Sequence, residues 1–231
     1  MSIVTTSTAN LLHKTDRYGP LTEYQKSVVE RILRNGRKAQ NLLQEMIEIF
    51  RSEEGLFKEE FFPIEKVLKD SLLDVLESSA SHTVETLYQV KTQEEFKNLL
   101  KAQGIFLEIT GRYCTSPFCH DQMKVQQILR NLMSNAMKYR RERINISISG
   151  DLELFIMVED DGIGIPLKEQ EIIFERFVRL NHNKETEVQG LGLGLTGVKA
   201  LVEAMSGEIK LLSREGIGTR FTVRIPPLHS H

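Results

Sequence analysis

The stretch from 144 to 158 constrains this chain more than any other. Ile144, Ile146 and Ile148 alternate with polar residues, and Leu152, Leu154, Ile156 and Val158 do the same beyond Gly150 and Asp151. Period-two alternation on both sides of a Gly-Asp pair reads as a hairpin of two half-buried strands. A hairpin of this kind has one apolar face that something must cover. Residues 121–139 supply a cover, with Val125, Ile128, Leu129, Leu132 and Ala136 at helical spacing. Further strand-like runs lie at 61–64, 105–110, 208–213 and 219–225, with a turn at Gly216 to Gly218 before the last. Helical runs lie at 64–77 and 194–206. Mixed strands and helices in this order predict an α+β fold, a two-layer α/β sandwich whose mixed sheet carries its helices on one face. Residues 78–103 are polar and helical in flavour, and no function attaches to them.

The first 55 residues have a different style. Over 21–50, Val28, Ile32, Ala39, Leu42, Met46 and Phe50 step by three, four or seven, a stripe along one long helix. Asn35 interrupts it, as a polar residue does when it fixes register in a bundle. Residues 2–14 read as a shorter helix, and Gly19 and Pro20 make the turn between the two. Two antiparallel helices cannot bury so long a stripe alone, and pairing with a second copy into a four-helix bundle is the natural remedy. The chain therefore divides into a helical hairpin, 1–55, and the sandwich, 56–231.

Composition narrows the function classes. The 231 residues are 40% hydrophobic and 27% charged, the mix of a soluble globular protein. No run approaches the roughly 18 apolar residues of a membrane span, and no secretory signal opens the chain, so a cytoplasmic location is expected. A formal charge of −2 argues against nucleic-acid binding by general phosphate attraction. Cys114, Cys119 and His120 lack a fourth ligand at zinc spacing, so reduced, partly buried thiols are expected rather than a metal site. His82, His120, His182, His229 and His231 read as surface residues.

Three segments carry candidate chemistry. On the 121–139 helix, Asn131, Asn135 and Lys138 fall within a narrow polar arc beside the apolar stripe. Carboxamide oxygens are hard ligands suited to magnesium, and an ammonium neutralises phosphate; a solvated helix face has the same composition. Asp160 ends a strand before Gly162 and Gly164, where a carboxylate can accept from the exocyclic amino group of adenine; an ordinary Asp-Gly turn looks alike. Gly190, Gly192 and Gly194 open a helix whose exposed N–H groups favour an anion. The glycines do not follow a strand, which sets aside the dinucleotide fold.

In this order the three segments resemble the histidine-kinase ATPase superfamily. Asn131 to Tyr139 resembles its asparagine box, Asp160 to Gly164 its first glycine box, Phe174 to Phe177 its phenylalanine box, Gly190 to Leu195 its second glycine box, and Gly216 to Phe221 its final Gly-Thr element. The resemblance implies ATP and magnesium as cofactors. It implies that Asn135 ligates magnesium, that Asn131 and Lys138 lie near the phosphates, and that Tyr139 lines the adenine pocket. Asp160 would hold the adenine amino group with Thr219 beside it. Gly162, Gly164 and Ile165 would belong to the same pocket. Gly190, Leu191, Gly192, Leu193, Gly194 and Leu195 would wrap the phosphates beneath a lid over 178–190, anchored by Phe174 and Phe177. Asp161 departs from the asparagine often found there, and Arg140 and Arg141 replace a more usual Thr-Pro.

The hairpin selects the branch. Residues 21–55 resemble the second dimerisation helix of sensor histidine kinases, and 2–12 resemble the residues after their acceptor-histidine motif. The acceptor is then expected upstream of residue 1. His13 lacks the family's Pro-Leu spacing and is not read as the acceptor. The resemblance implies a homodimer, a response-regulator receiver domain as partner, and transfer of the ATP γ-phosphate to histidine and then to aspartate. The expectation is that these residues bind ATP without labelling themselves. A non-catalytic ATP-binding or dimerisation module that regulates a partner is the alternative.

Overall fold

In the computed structural model, residues 2–53, 57–78, 87, 90, 92–175 and 194–228 are described. The chain splits into two compact units, Met1–Arg51 and Ser52–His231.

The first unit contains helices α1 (Ser2–His13), α2 (Thr15–Tyr18) and α3 (Glu23–Glu53). A capping box starts α3. The Thr22 N–H donates to Gln25 Oε1 at 3.0 Å, and the Gln25 N–H donates back to Thr22 Oγ1 at 3.3 Å. Gly36 faces Thr5 so closely that a Cβ there would come within 2.8 Å of the Thr5 methyl. Thr8 and Leu33 are buried, but Ile32, assigned to the apolar stripe, is 44% exposed. Adjacent positions on a helix point about 100° apart, and the contact within the chain takes the Leu33 side. Asn35 is exposed as well.

The second unit is the sandwich. Its elements run β1 (Glu60–Phe62), α4 (Ile64–Ser78), α5 (Gln93–Ala102), β2 (Ile105–Ile109), β3 (Phe118–His120), α6 (Gln122–Tyr139), β4 (Ile144–Ser149), β5 (Leu154–Asp160), α7 (Gly194–Ala204), β6 (Glu208–Arg214) and β7 (Gly218–Ile225). Five strands form one mixed sheet in the order β2-β4-β5-β7-β6, with β2 and β4 parallel and every other pair antiparallel. The expected hairpin is β4–β5, with Ile144 opposite Asp160 and Ile148 opposite Ile156. Burial alternates along it. Ile144, Ile146, Ile148, Leu154, Ile156 and Val158 are buried, while Asn145, Met157 and Glu159 on the other face are not. The buried face meets Leu68 and Leu72 of α4, Ile128, Leu129 and Leu132 of α6, and Val198 and Val202 of α7 in one apolar cluster. Burial of each such side chain contributes roughly 1.5–3 kcal/mol, which makes this face the main source of the domain's stability.

A second, two-stranded sheet pairs β1 with β3, Glu60 opposite His120. Three residues are too few to show a period, so β3 leaves no trace in the sequence pattern. It also corrects the surface reading of His120, which is 1% exposed. Its ring lies edge-on to Phe57 at 5.3 Å and stacked on Phe118 at 6.0 Å, and Nδ1 accepts the Asp121 N–H at 2.8 Å. Burial pushes its pKa down to about 4. Cys119 is buried and Cys114 exposed, both as free thiols. No group of metal-binding side chains occurs among the described residues, nor any helix long and apolar enough to cross a membrane.

Candidate nucleotide site

Helix α6 presents the asparagines. The Asp121 carboxylate caps it, accepting from the Lys124 N–H at 3.1 Å and from the Lys58 N–H, also at 3.1 Å. Val125, Ile128, Leu129 and Leu132 are fully buried and fix the helix against the sheet. Asn131, Asn135 and Lys138 are consequently left half-buried on its flank. The Lys138 ammonium stands 5.0 Å from the centre of the Tyr139 ring, which is 41% exposed.

Strand β5 delivers Asp160 to the C-terminal end of that helix. Asp160 is 8% exposed and pairs across the sheet with Thr219, itself buried. Its Oδ1 accepts the Gly162 N–H at 2.9 Å. Burial raises the Asp160 pKa to about 6, opposed by the N–H groups of Gly162 and Thr219. A Cβ on Gly162 would collide with the Tyr139 carbonyl oxygen, so only glycine lets this loop lie against the end of α6. Gly164 has φ +69°, a left-handed conformation that a side chain would strain, and its backbone packs on Arg214.

Ser213 carries no motif of its own in the sequence, yet it organises this edge. Its hydroxyl accepts the Ile165 N–H at 2.8 Å, donates to the Gly218 carbonyl at 2.9 Å and lies 2.9 Å from Thr219 Oγ1. Gln170 Nε2 donates to the Ile165 and Ser213 carbonyls at 2.9 and 3.0 Å. A serine six residues before Thr219, across the Gly216 to Gly218 turn, is the sequence signal, since it falls opposite Thr219 in the β6–β7 register. Asp161, in the sequence only a departure from asparagine, proves well connected. Its carboxylate accepts the N–H groups of Arg141, Glu142 and Arg143 at 3.0, 3.1 and 3.0 Å. Partial burial raises its pKa, but those N–H groups outweigh it and hold the carboxyl below the usual range.

Helix α7 closes the site from the other side. Gly194 opens it, and a Cβ there would lie 3.2 Å from Asn131 Oδ1. Thr196 Oγ1 donates to the Glu175 carbonyl at 2.9 Å, and Phe174 packs edge-on against Phe221 at 6.3 Å. The structure thus brings Asn131 to Gly194, and Tyr139 to Gly162 and Asp160, with Thr219 and Ile165 beside them. Leu195 is half-buried on the same helix start. Phe177, Gly190, Leu191, Gly192 and Leu193, with the lid expected over 178–190, lie outside the described residues. A separate groove of about 380 Å³ between α5 and the open face of the sheet, lined by Lys97, Lys101, Phe106 and Met157, shares none of these residues.

The donor set fits a nucleotide with a divalent cation. Two hard carboxamide oxygens and an ammonium lie along α6, a helix N-terminus faces Asn131, and a buried carboxylate sits at the far end. Residues 120–229 match the family described as histidine kinase-, DNA gyrase B-, and HSP90-like ATPase. The autoinducer 2 sensor kinase/phosphatase LuxQ of Vibrio cholerae is 31% identical over 217 residues, 90% of this chain and 23% of that protein. The circadian input-output histidine kinase CikA of Synechococcus elongatus is 31% identical over 213 residues, 90% of this chain and 26% of that protein. The sensor histidine kinase WalK of Bacillus subtilis is 41% identical over 111 residues, 46% of this chain and 18% of that protein. The chain therefore spans about a quarter of the length of these relatives or less. Full-length ShkA in complex with AMPPNP superposes with a TM-score of 0.68 at 21% identity, over 99% of this chain and 44% of that one. The Acinetobacter baumannii histidine kinase AdeS superposes with a TM-score of 0.58 at 18% identity, over 99% and 95%. At these identities the two structures speak to the fold alone.

Proposed function

This chain belongs to the sensor histidine kinases and carries their ATP-binding catalytic domain, and we propose that it is the phosphate-donating half of a two-component kinase. The observation that supports this reading most is the convergence of α6, the β5 loop and the start of α7 on one site. Three sequence segments, each ordinary alone, meet with Asn131 against Gly194 and with Tyr139 against Gly162. In this reading Asp160 accepts from the adenine amino group, and Thr219 and Ser213 hold that edge. Asn131 and Lys138 position the phosphates. Asn135 would hold magnesium, which would neutralise phosphate charge when bound. The chain's own part in the transfer is positioning and charge neutralisation, the main sources of catalysis in phosphoryl transfer. The γ-phosphate would pass to a histidine outside these residues and then to an aspartate of a response-regulator receiver domain. Residues 1–55, the hairpin unit, would dimerise, with Ile32 exposed in the single chain for that purpose.

Calorimetric titration of the full chain with ATP, with and without magnesium, tests the donor site. The proposal expects magnesium-dependent binding that Asn135→Ala loses by about tenfold or more, the scale of a lost ligand to a charged group. Incubation with γ-labelled ATP should leave the chain itself unlabelled. Absence of ATP binding would refute the reading. Acid-labile self-labelling would place an acceptor within these residues, and His13→Ala would then be measured.

A further inference from the structure

Asp161 belongs to none of the roles above, yet it bonds the turn after α6 to the loop after β5. Its Oδ1 collects three successive backbone N–H groups, from Arg141, Glu142 and Arg143, and Oδ2 takes a second, longer bond from Glu142 at 3.3 Å. The Asp161 N–H in turn donates to the Arg143 carbonyl at 3.3 Å. These residues are the chain leaving α6 directly after Tyr139. Asp161 itself stands between Asp160 and Gly162. The turn it gathers is also braced from behind. Arg140 Nη1 donates to the Gln103 carbonyl at 2.8 Å, Gly104 packs tightly on the Glu142 carbonyl, and the Arg143 guanidinium lies 5.0 Å from the centre of the Phe106 ring. With one side of the turn fixed to the α5–β2 connection, the Asp161 carboxylate fixes the other side to the loop after β5.

We propose that Asp161 is a positioning residue for adenine recognition: by tying the 141–143 turn to the loop between Asp160 and Gly162, it sets the distance between the base-reading carboxylate and the phosphate-reading side chains of α6. The proposal rests on the reading of Asp160 as the adenine acceptor. It accounts for the sequence around the turn. Arg140 and Arg141, in place of Thr-Pro, leave the 141 N–H free to donate and add the brace to Gln103. One carboxylate oxygen makes the three best bonds, so an asparagine carbonyl oxygen can replace it, whereas alanine cannot.

The test compares affinities of the full chain for ATP and for the triphosphate of purine riboside, which lacks the 6-amino group. The ratio of the two reports how well Asp160 is placed and cancels general losses of phosphate binding. The wild type should prefer ATP by roughly tenfold, the scale of one hydrogen bond to a charged group. Asp161→Ala should bring the ratio to within about twofold of one, with the purine riboside affinity less affected. Asp161→Asn should keep the wild-type ratio. Circular dichroism checks that each variant is folded; if Asp161→Ala is not, Asp161→Ser is read on the same ratio. An unchanged ratio in the folded alanine or serine variant overturns the positioning role, as does loss of the ratio in Asp161→Asn. A wild type that binds both triphosphates equally would instead overturn the reading of Asp160 itself.

Discussion

Asp160 and His120 show how burial, the largest influence on each, sets opposite pH responses at single residues. Asp160 has its pKa raised to about 6 by desolvation. The folded state therefore holds this proton more tightly than the unfolded chain, so its contribution to stability is full below about pH 4 and is lost as pH rises through about 6. In the proposed reading ionised Asp160 is the form that accepts from adenine, so the preference for ATP over the purine riboside triphosphate should fall as pH drops from 7 to 5. Asp160→Asn should abolish that pH dependence while raising the melting temperature at pH 8, because it removes a buried charge that costs on the order of 3 kcal/mol. A melting temperature lowered at pH 8 would contradict this account of the site. His120 runs the other way, with its pKa pushed down to about 4 by burial between Phe57 and Phe118. Its contribution to stability is complete above about pH 6.5 and is lost as pH falls through about 4. His120→Gln should flatten the acid limb of a pH–stability curve measured by denaturant unfolding, and an unchanged limb would rule His120 out as its cause. Neither residue's burial could be read from sequence. Asp160 at least ends an alternating strand, but His120 lies on a strand too short to show its period.

Among the elements, α6 was the most legible, since its apolar stripe and its polar arc are separate patterns on one helix. The β4–β5 hairpin was legible for the same reason, and the pairing of β5 with β7 places Asp160 opposite Thr219 as the boxes required. What the sequence hid were the contacts between loops. The Ser213 network and the Asp161 carboxylate join segments far apart in the chain through side-chain hydrogen bonds, and no periodicity records those. The close approach of the Gly162 loop to the end of α6 belongs to this level as well. Gly162→Ala should disrupt it, because the new Cβ meets the Tyr139 carbonyl, part of the backbone. A loss of about 1–3 kcal/mol in overpacked sites, together with a weaker ATP affinity, is expected from thermal melting and calorimetry. Tolerance of Gly162→Ala without either change would mean that the loop is held less tightly than described.

The molecule as a whole consists of two compact units. The sandwich has its own core on one face of a five-stranded sheet, and every described residue of the site comes from it. The α+β sandwich could be read from the change of period along the chain, from helical stripes to alternation and back. The helical hairpin was legible as a stripe, but which side of α3 packs within the chain was not, because Ile32 and Leu33 are equally apolar and only Leu33 is taken. Under the proposed function this chain is a phosphate donor. The most direct measurement supplies it with γ-labelled ATP, magnesium and a separate helical hairpin bearing an acceptor histidine, alongside the same hairpin with that histidine changed to alanine. Acid-labile label is expected on the histidine hairpin alone. ATP bound with no label on either hairpin would contradict it and favour a module that binds nucleotide to regulate a partner.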